Sequence, residues 1–317
     1  MAENIACPNC GAPGSSPARP GARITCRYCN TTFDAPSPQG APAASAGVAP
    51  SEAPLPRRGR DPLGGMVVKG IWRSVVQGHR LTYLSGRDRI LDLEEDSGRY
   101  HVWAYDRSIT GGDPLPHGVA SGTWGSIRSG HELIALGGDH ILDWESASGA
   151  FRVWHYDANA RGEQDVLPTV VTKGTWSSIA SSKRLVSLGG DRVLDWEPSS
   201  GAFRIWHYDR NVASGGDPLP GGPVTSGAWS SIRTGHELVY LGDDHVLDWV
   251  PSSGNYRLWW YDRAARGNGD PFPREVAAGN WSSIRTGHEL ISLERRRVLD
   301  WEPTSGAYRI WVVETGV

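Results

Sequence analysis

A unit of about fifty residues, written five times in tandem, constrains this chain more than any other feature. An Asp-Pro-Leu step recurs at Asp61, Asp113, Asp165, Asp217 and Asp270, degraded in the third copy and ending on Phe272 in the fifth, with spacings of 52, 52, 52 and 53 residues. A Gly-x-Trp step follows in phase at Trp72, Trp124, Trp176, Trp229 and Trp281. The fourth copy holds four apolar segments of strand length, VTSGAWSSI, HELVYLG, HVLDWV and NYRLWWYD, rich in Trp, Tyr, Val and Ile. Three connections are tight: Arg-Thr-Gly at 233–235, Gly-Asp-Asp at 242–244 and Pro-Ser-Ser-Gly at 251–254. Hairpins of that length join antiparallel neighbours, so each copy reads as a four-stranded meander. The long connection at 209–222 then reads as the radial crossover between sheets, a span of about 14 Å that about five extended residues cover. Four strands and one return per copy are the arithmetic of a β-propeller, and the expected fold is mainly β, a five-bladed ring over 61–317 with repeats starting at 61, 113, 165, 217 and 270. A solenoid would need a polar last repeat, but the final copy ends on Tyr308-Arg309-Ile310-Trp311-Val312-Val313. Whether strands exchange between the two ends of the array, residues 66–73 and the C-terminus, is left open.

Composition divides the chain before the array begins. All four cysteines fall in the first 30 residues and all 15 tryptophans after residue 70. Residues 35–60 form a Pro/Ala/Ser/Gly tract without apolar period, read as a disordered linker. With 40 Gly and 22 Pro, long helices have little room. No apolar run approaches the roughly 18 residues of a membrane-spanning helix, so membrane insertion is not expected. The net charge of −3 gives no drive toward nucleic acid. MAENIACPNC shows no secretory signal, which makes the cytoplasm the expected location.

Cys7-Pro-Asn-Cys10 and Cys26-Arg-Tyr-Cys29 are spaced C-x2-C-x15-C-x2-C. Two such knuckles close a tetrahedral four-thiolate shell around one Zn2+ with no position left open, so Cys7, Cys10, Cys26 and Cys29 are the expected ligands of a structural ion. The segment resembles the zinc ribbons, over a domain assigned to 1–34. About thirty residues bury too little surface to fold without such a staple.

Within the array, Leu-Asp-Trp recurs at Trp144, Trp196, Trp249 and Trp301, and Trp103, Trp154, Trp206, Trp259 and Trp311 mark the strand after it. These rings are expected to fill the gaps between blades. The Asp of the step is expected to accept hydrogen bonds from turn amides or an indole, because a buried carboxylate must be paired. Gly-His recurs at His79, His131, His236 and His288, with Lys183 in the third copy; the histidines read as hydrogen-bonded turn residues. Tyr105-Asp106, Tyr156-Asp157, Tyr208-Asp209 and Tyr261-Asp262 lead into the long loops. Loops carrying rings and carboxylates on a rigid scaffold suit recognition, of sugars above all.

This order of motifs resembles the tachylectin-type lectin propellers over about 61–317. The resemblance implies five blades and repeated sites between them for N-acetylated hexosamines, with Trp124, Trp176, Trp229 and Trp281 beside the Tyr-Asp pairs as the ligand-binding residues. The expected function is therefore a non-enzymatic, multivalent glycan reader, since catalysis requires one asymmetric set of groups that the repeats do not display. The alternative is a cytoplasmic scaffold whose ring and ribbon dock separate protein partners. The propeller is expected to be monomeric.

Overall fold

The computed structural model describes residues 59–84, 86–212 and 214–314, together with the backbone of 23–25 and 32–34. The chain divides into two units, Met1–Ser51 and Glu52–Val317. In the first, β1 (Arg23–Thr25) pairs antiparallel with β2 (Thr32–Asp34), Ile24 opposite Phe33. Cys7, Cys10, Cys26 and Cys29 lie outside the described residues, as does the linker up to its last two positions.

The second unit is a ring of five four-stranded antiparallel sheets, with no helix among the described residues. Blade 1 is β4 (His79–Leu84), β5 (Arg89–Glu94), β6 (Arg99–Ala104) and β7 (His117–Thr123). Blade 2 is β8 (His131–Gly137), β9 (His140–Glu145), β10 (Ala150–His155) and β11 (Thr169–Thr175). Blade 3 is β12 (Arg184–Ser187), β13 (Arg192–Trp196), β14 (Ala202–His207) and β15 (Thr225–Ala228). Blade 4 is β16 (Glu237–Gly242), β17 (His245–Val250), β18 (Asn255–Trp260) and β19 (Arg274–Asn280). Blade 5 joins β20 (Glu289–Ser292), β21 (Arg297–Glu302) and β22 (Ala307–Val313) to β3 (Leu63–Ile71). The first strand of each blade touches the first strands of both neighbours, so β4, β8, β12, β16 and β20 line the axis.

The sheets are offset by one strand from the sequence repeat. The Gly-x-Trp segment, expected to open a blade, closes the preceding one: in the fourth copy β15 pairs with β14, Ala228 opposite Ala202. The Arg-Thr-Gly step at 233–235, expected to be a hairpin, lies in the crossing from outer strand β15 to inner strand β16, and the long 209–222 connection joins two neighbouring strands of one sheet. Two close approaches hold the segment there. The Trp229 amide donates to Gly201 O at 3.0 Å, in the hairpin of the copy before. A Cβ at Gly201, whose φ is +71°, would stand 2.1 Å from Trp229 O, and a Cβ at Gly227 would stand 3.0 Å from the Phe203 ring. Gly201 therefore admits only glycine, while a side chain at Gly227 would require the Phe203 ring to give by a few tenths of an ångström.

The same offset closes the ring. The last three-stranded sheet is completed by the first strand of the array, with Ile310 opposite Val68 and Ala307 opposite Ile71. An apolar edge that would otherwise invite aggregation is thereby paired.

The core is in five pieces, one at each blade junction. Between blades 3 and 4, Leu194, Trp196 and Phe203 pack with Leu238, Val246 and Tyr261. Trp144, Trp196, Trp249 and Trp301 are fully buried, each in a different junction, as the packing reading of Leu-Asp-Trp requires. Each buried indole removes about 200 Å2 from water, at most about 5 kcal/mol at 25 cal/mol per Å2. That exceeds the about 1 kcal/mol net of a ladder hydrogen bond, so the junctions hold the ring together.

Candidate recognition site

The residues expected to bind a ligand do come together at the junctions. Trp124 shares an apolar cluster with Tyr156, Trp176 with Tyr208, and Trp229 with Tyr261. Tyr105 meets Trp72, and Trp281 has Val313 in the tyrosine's place. The space between them is filled from within the chain. Leu115, Leu167, Leu219, Phe272 and Leu63, the third residues of the Asp-Pro-Leu steps, sit in the same five clusters. The four indoles are 7–8% exposed and the four phenols 1–4%.

Every Gly-x-Trp indole is engaged on its face and at its nitrogen. Trp229 stacks on Phe203 at 4.0 Å and on Phe272 at 4.9 Å, and Trp124 and Trp176 stack on Tyr100 and Phe151 at 4.0 Å. Each Nε1 donates to the Asp of the next copy's Asp-Pro-Leu step: Trp72 to Asp113, Trp124 to Asp165, Trp176 to Asp217, Trp229 to Asp270 and Trp281 to Asp61, at 3.0–3.3 Å. The same carboxylate oxygen accepts the amide two residues on, which shapes the turn. Five such latches run once around the ring, each tying the outer edge of one blade to the Asp-Pro-Leu step that leads into the outer strand of the next.

The loop carboxylates are also in use. Asp106, Asp157, Asp209 and Asp262 are half-buried, and each accepts the amide two residues on, from Ser108, Asn159, Asn211 and Ala264. The Ser108 hydroxyl and amide hold the Asp106 carboxyl below its ordinary range. Burial raises the phenols. Tyr261 is pushed up to about 12, and Tyr208, whose OH meets His140 Nδ1 at 2.6 Å, also rises, chiefly by burial.

A second network recurs on the blade faces. The buried Asp of Leu-Asp-Trp meets the turn histidine's Nδ1 at 2.6–2.7 Å: His79 with Asp92, His131 with Asp143, His236 with Asp248 and His288 with Asp300. In blade 3, Lys183 Nζ stands 3.8 Å from Asp195. Arg152, Arg204 and Arg309 add a charged bond to the other carboxylate oxygen, at 2.6–2.9 Å. The Asp partners are therefore mainly histidine, lysine and arginine side chains; the expected indole is present from Trp206 at 3.0 Å.

Open clefts lie over this network on blades 2 and 5. On blade 2 it has a volume of about 450 Å3 and is lined by His131, Asp143, Glu145, Arg152, Lys173 and Thr175. On blade 5 it has a volume of about 620 Å3, with His288, Asp300, Glu302, Arg309, Lys69 and Ile71 in the matching places. The sequence reading missed both. The signal was the residue before the glycine of Gly-x-Trp, which is Lys69 and Lys173 in two copies but Ser121, Ser226 and Ala278 in the others.

No family model matches the sequence, and no curated protein matches it. Among solved structures, the chain is similar to Raptor of Chaetomium thermophilum at 12% identity and a TM-score of 0.35, over 74% of this chain and 18% of that one. It is similar to the β-propeller domain of Swd1 from Myceliophteria thermophila at 14% identity and a TM-score of 0.35, over 74% and 83%. It is also similar to the WD40 domain of Toxoplasma gondii coronin at 12% identity and a TM-score of 0.38, over 80% and 70%. The chain thus spans under a fifth of the Raptor chain and most of the other two, and the five-bladed ring rests on its own strand pairing.

Proposed function

We propose that the protein is a non-enzymatic recognition scaffold whose ring docks protein partners through surfaces that differ from blade to blade. One observation carries this reading: the Trp, Asp, Leu and Tyr side chains that recur from copy to copy are taken up in latches, plugs and buried Asp contacts, while long charged side chains on the surface differ between copies. Lys69 and Lys173 have Ser121, Ser226 and Ala278 as counterparts, and Glu294-Arg295-Arg296 stands where blades 2 and 3 turn on Gly137-Gly138 and Gly189-Gly190. A partner's unique footprint uses such departures.

Amino-sugar binding at the junctions is the second reading, favoured by their near-equivalence. It requires the Leu or Phe at each junction to move aside. A glycan array separates the two. Binding to amino-sugar glycans, strengthened by Leu219→Ala, would overturn the scaffold reading. The expected result is no glycan binding, together with a partner that crosslinks to the ring at Lys69, Lys173 or the 294–297 turn.

For the N-terminal unit we propose one structural Zn2+ held by Cys7, Cys10, Cys26 and Cys29, in the reducing cytoplasm that keeps thiolates available. The spacing of the two Cys pairs and the pairing of β1 with β2 on either side of the second pair support it. One zinc per chain, lost on Cys26→Ser, is the expected metal analysis.

A further inference from the structure

We propose that the clefts on blades 2 and 5 are a matched pair of carboxylate subsites that hold an acidic peptide segment of a protein partner; this deepens the scaffold reading and rests on it. In both clefts one row across the sheet reads Asp, Arg, Lys from inside outward. Asp143 stands opposite Arg152, and Arg152 opposite Lys173. Asp300 stands opposite Arg309, and Arg309 opposite Lys69. The corresponding rows are Asp92, His101 and Ser121 in blade 1, Asp195, Arg204 and Ser226 in blade 3, and Asp248, Arg257 and Ala278 in blade 4.

The inner carboxylate is unavailable to a ligand, because it is buried between the histidine and the arginine. The arginine is fixed and only partly used. Arg152 donates from Nε to Asp143, from Nη1 to Ser126 Oγ and from Nη2 to Ser126 O, and lies over the Trp154 ring at 5.5 Å. Two of its five N–H groups remain. Arg309 makes the same three bonds, to Asp300 and Ser283, and its Nη2 also lies 2.6 Å from Asp300 Oδ2, which leaves one N–H group. Beside each arginine stands an exposed lysine with no ion pair among the described residues. A rigid guanidinium edge next to a mobile ammonium is the donor set a carboxylate takes.

Charge balance selects the kind of anion. Asp143 is engaged by Arg152, and Lys173 makes no ion pair among the described residues, so the cleft offers one free ammonium beside the guanidinium edge, which suits a singly charged carboxylate better than a phosphate dianion. Glu145 and Glu302, whose hydroxyl partners are Ser148 and Ser305, also offer acceptors to neighbouring N–H groups. A carboxylate flanked by amide N–H groups, which is an acidic peptide, complements both features. Volumes of about 450 and 620 Å3 admit a side chain with its backbone. Two such sites on one ring let a partner with two acidic segments gain by avidity.

The test is calorimetry of the full chain with a blocked Gly-Glu-Gly-Glu-Gly peptide, glutarate and inorganic phosphate. The expected result is two peptide sites per ring, one after Lys173→Met and none after Lys69→Met with Lys173→Met, with glutarate and phosphate at least tenfold weaker. Ser226→Lys should add a third site, because Arg204 already bonds Asp195 Oδ2 and Ser178 O as Arg152 bonds its counterparts. Peptide binding unchanged in the double variant, phosphate or glutarate binding as tight as the peptide, or no peptide binding to the native ring would each overturn the proposal. In the last case a partner still crosslinked at the 294–297 turn would leave the scaffold reading standing.

Discussion

Trp229 shows how one side chain serves three parts of the ring: it stacks on its own blade's Phe203, packs on Phe272 of the next blade and bonds that blade's Asp270. Packing supplies most of the energy, and the hydrogen bond fixes the geometry. Trp229→Phe keeps the stacking and removes the Nε1 donor to a carboxylate, so a loss of about 1.5–3 kcal/mol is expected from urea unfolding. Gly201→Ala and Gly235→Ala separate two roles of glycine. Both have positive φ, worth about 1–3 kcal/mol each, but only at Gly201 would the added Cβ strike backbone, while Gly235 faces open space. The Gly201 variant is expected to lose distinctly more stability than the Gly235 variant. Equal losses would show that the approach of Trp229 O is relieved cheaply.

The strand that closes the ring is the element on which the others depend. Without β3, blade 5 keeps three strands and the apolar β22 presents an open ladder. Removing the chain through Ile71 also removes Asp61 and Trp72's register, and with them the Trp281 latch. The truncated chain is expected to aggregate or unfold without a cooperative transition, and a synthetic peptide spanning 59–73 is expected to restore a single transition in calorimetry. At this scale the strands themselves were legible from their Trp, Val and Ile content and their Gly turns. Their grouping was not, because a tight turn such as 233–235 looks the same whether it reverses a strand within one sheet or carries the chain to the next.

For the molecule as a whole, four of the five junctions, those holding Tyr156, Tyr208, Tyr261 and Tyr308, should respond together to alkali. Burial pushes Tyr261 and Tyr308 up to about 12 in the folded ring, while an unfolded phenol ionises near 10. Their contribution to stability is thus present below pH 10 and is lost as pH rises from 10 through 12, where the unfolded chain alone sheds the protons. Phenolate absorbance and loss of the folded signal should coincide in that window. Phenolate formation well before unfolding would mean that the junctions open to water.

The sequence by itself determined the number of blades, the strand content and the partition of cysteines from tryptophans, since a fifty-residue period with strand-length apolar segments leaves little else for the chain to form. Only the tertiary structure decided what the repeated residues are for. Trp124, Trp176, Trp229 and Trp281 stand at the junctions, yet the leucine or phenylalanine that fills the junction lies 43 residues from the indole it covers in four cases and 218 residues away in the fifth, Leu63 on Trp281. No local pattern reports such an encounter. Lys69 and Lys173 were equally silent, because they stand in copies one and three and become equivalent only when the ring pairs each with the Asp-Arg row of the sheet that its strand completes.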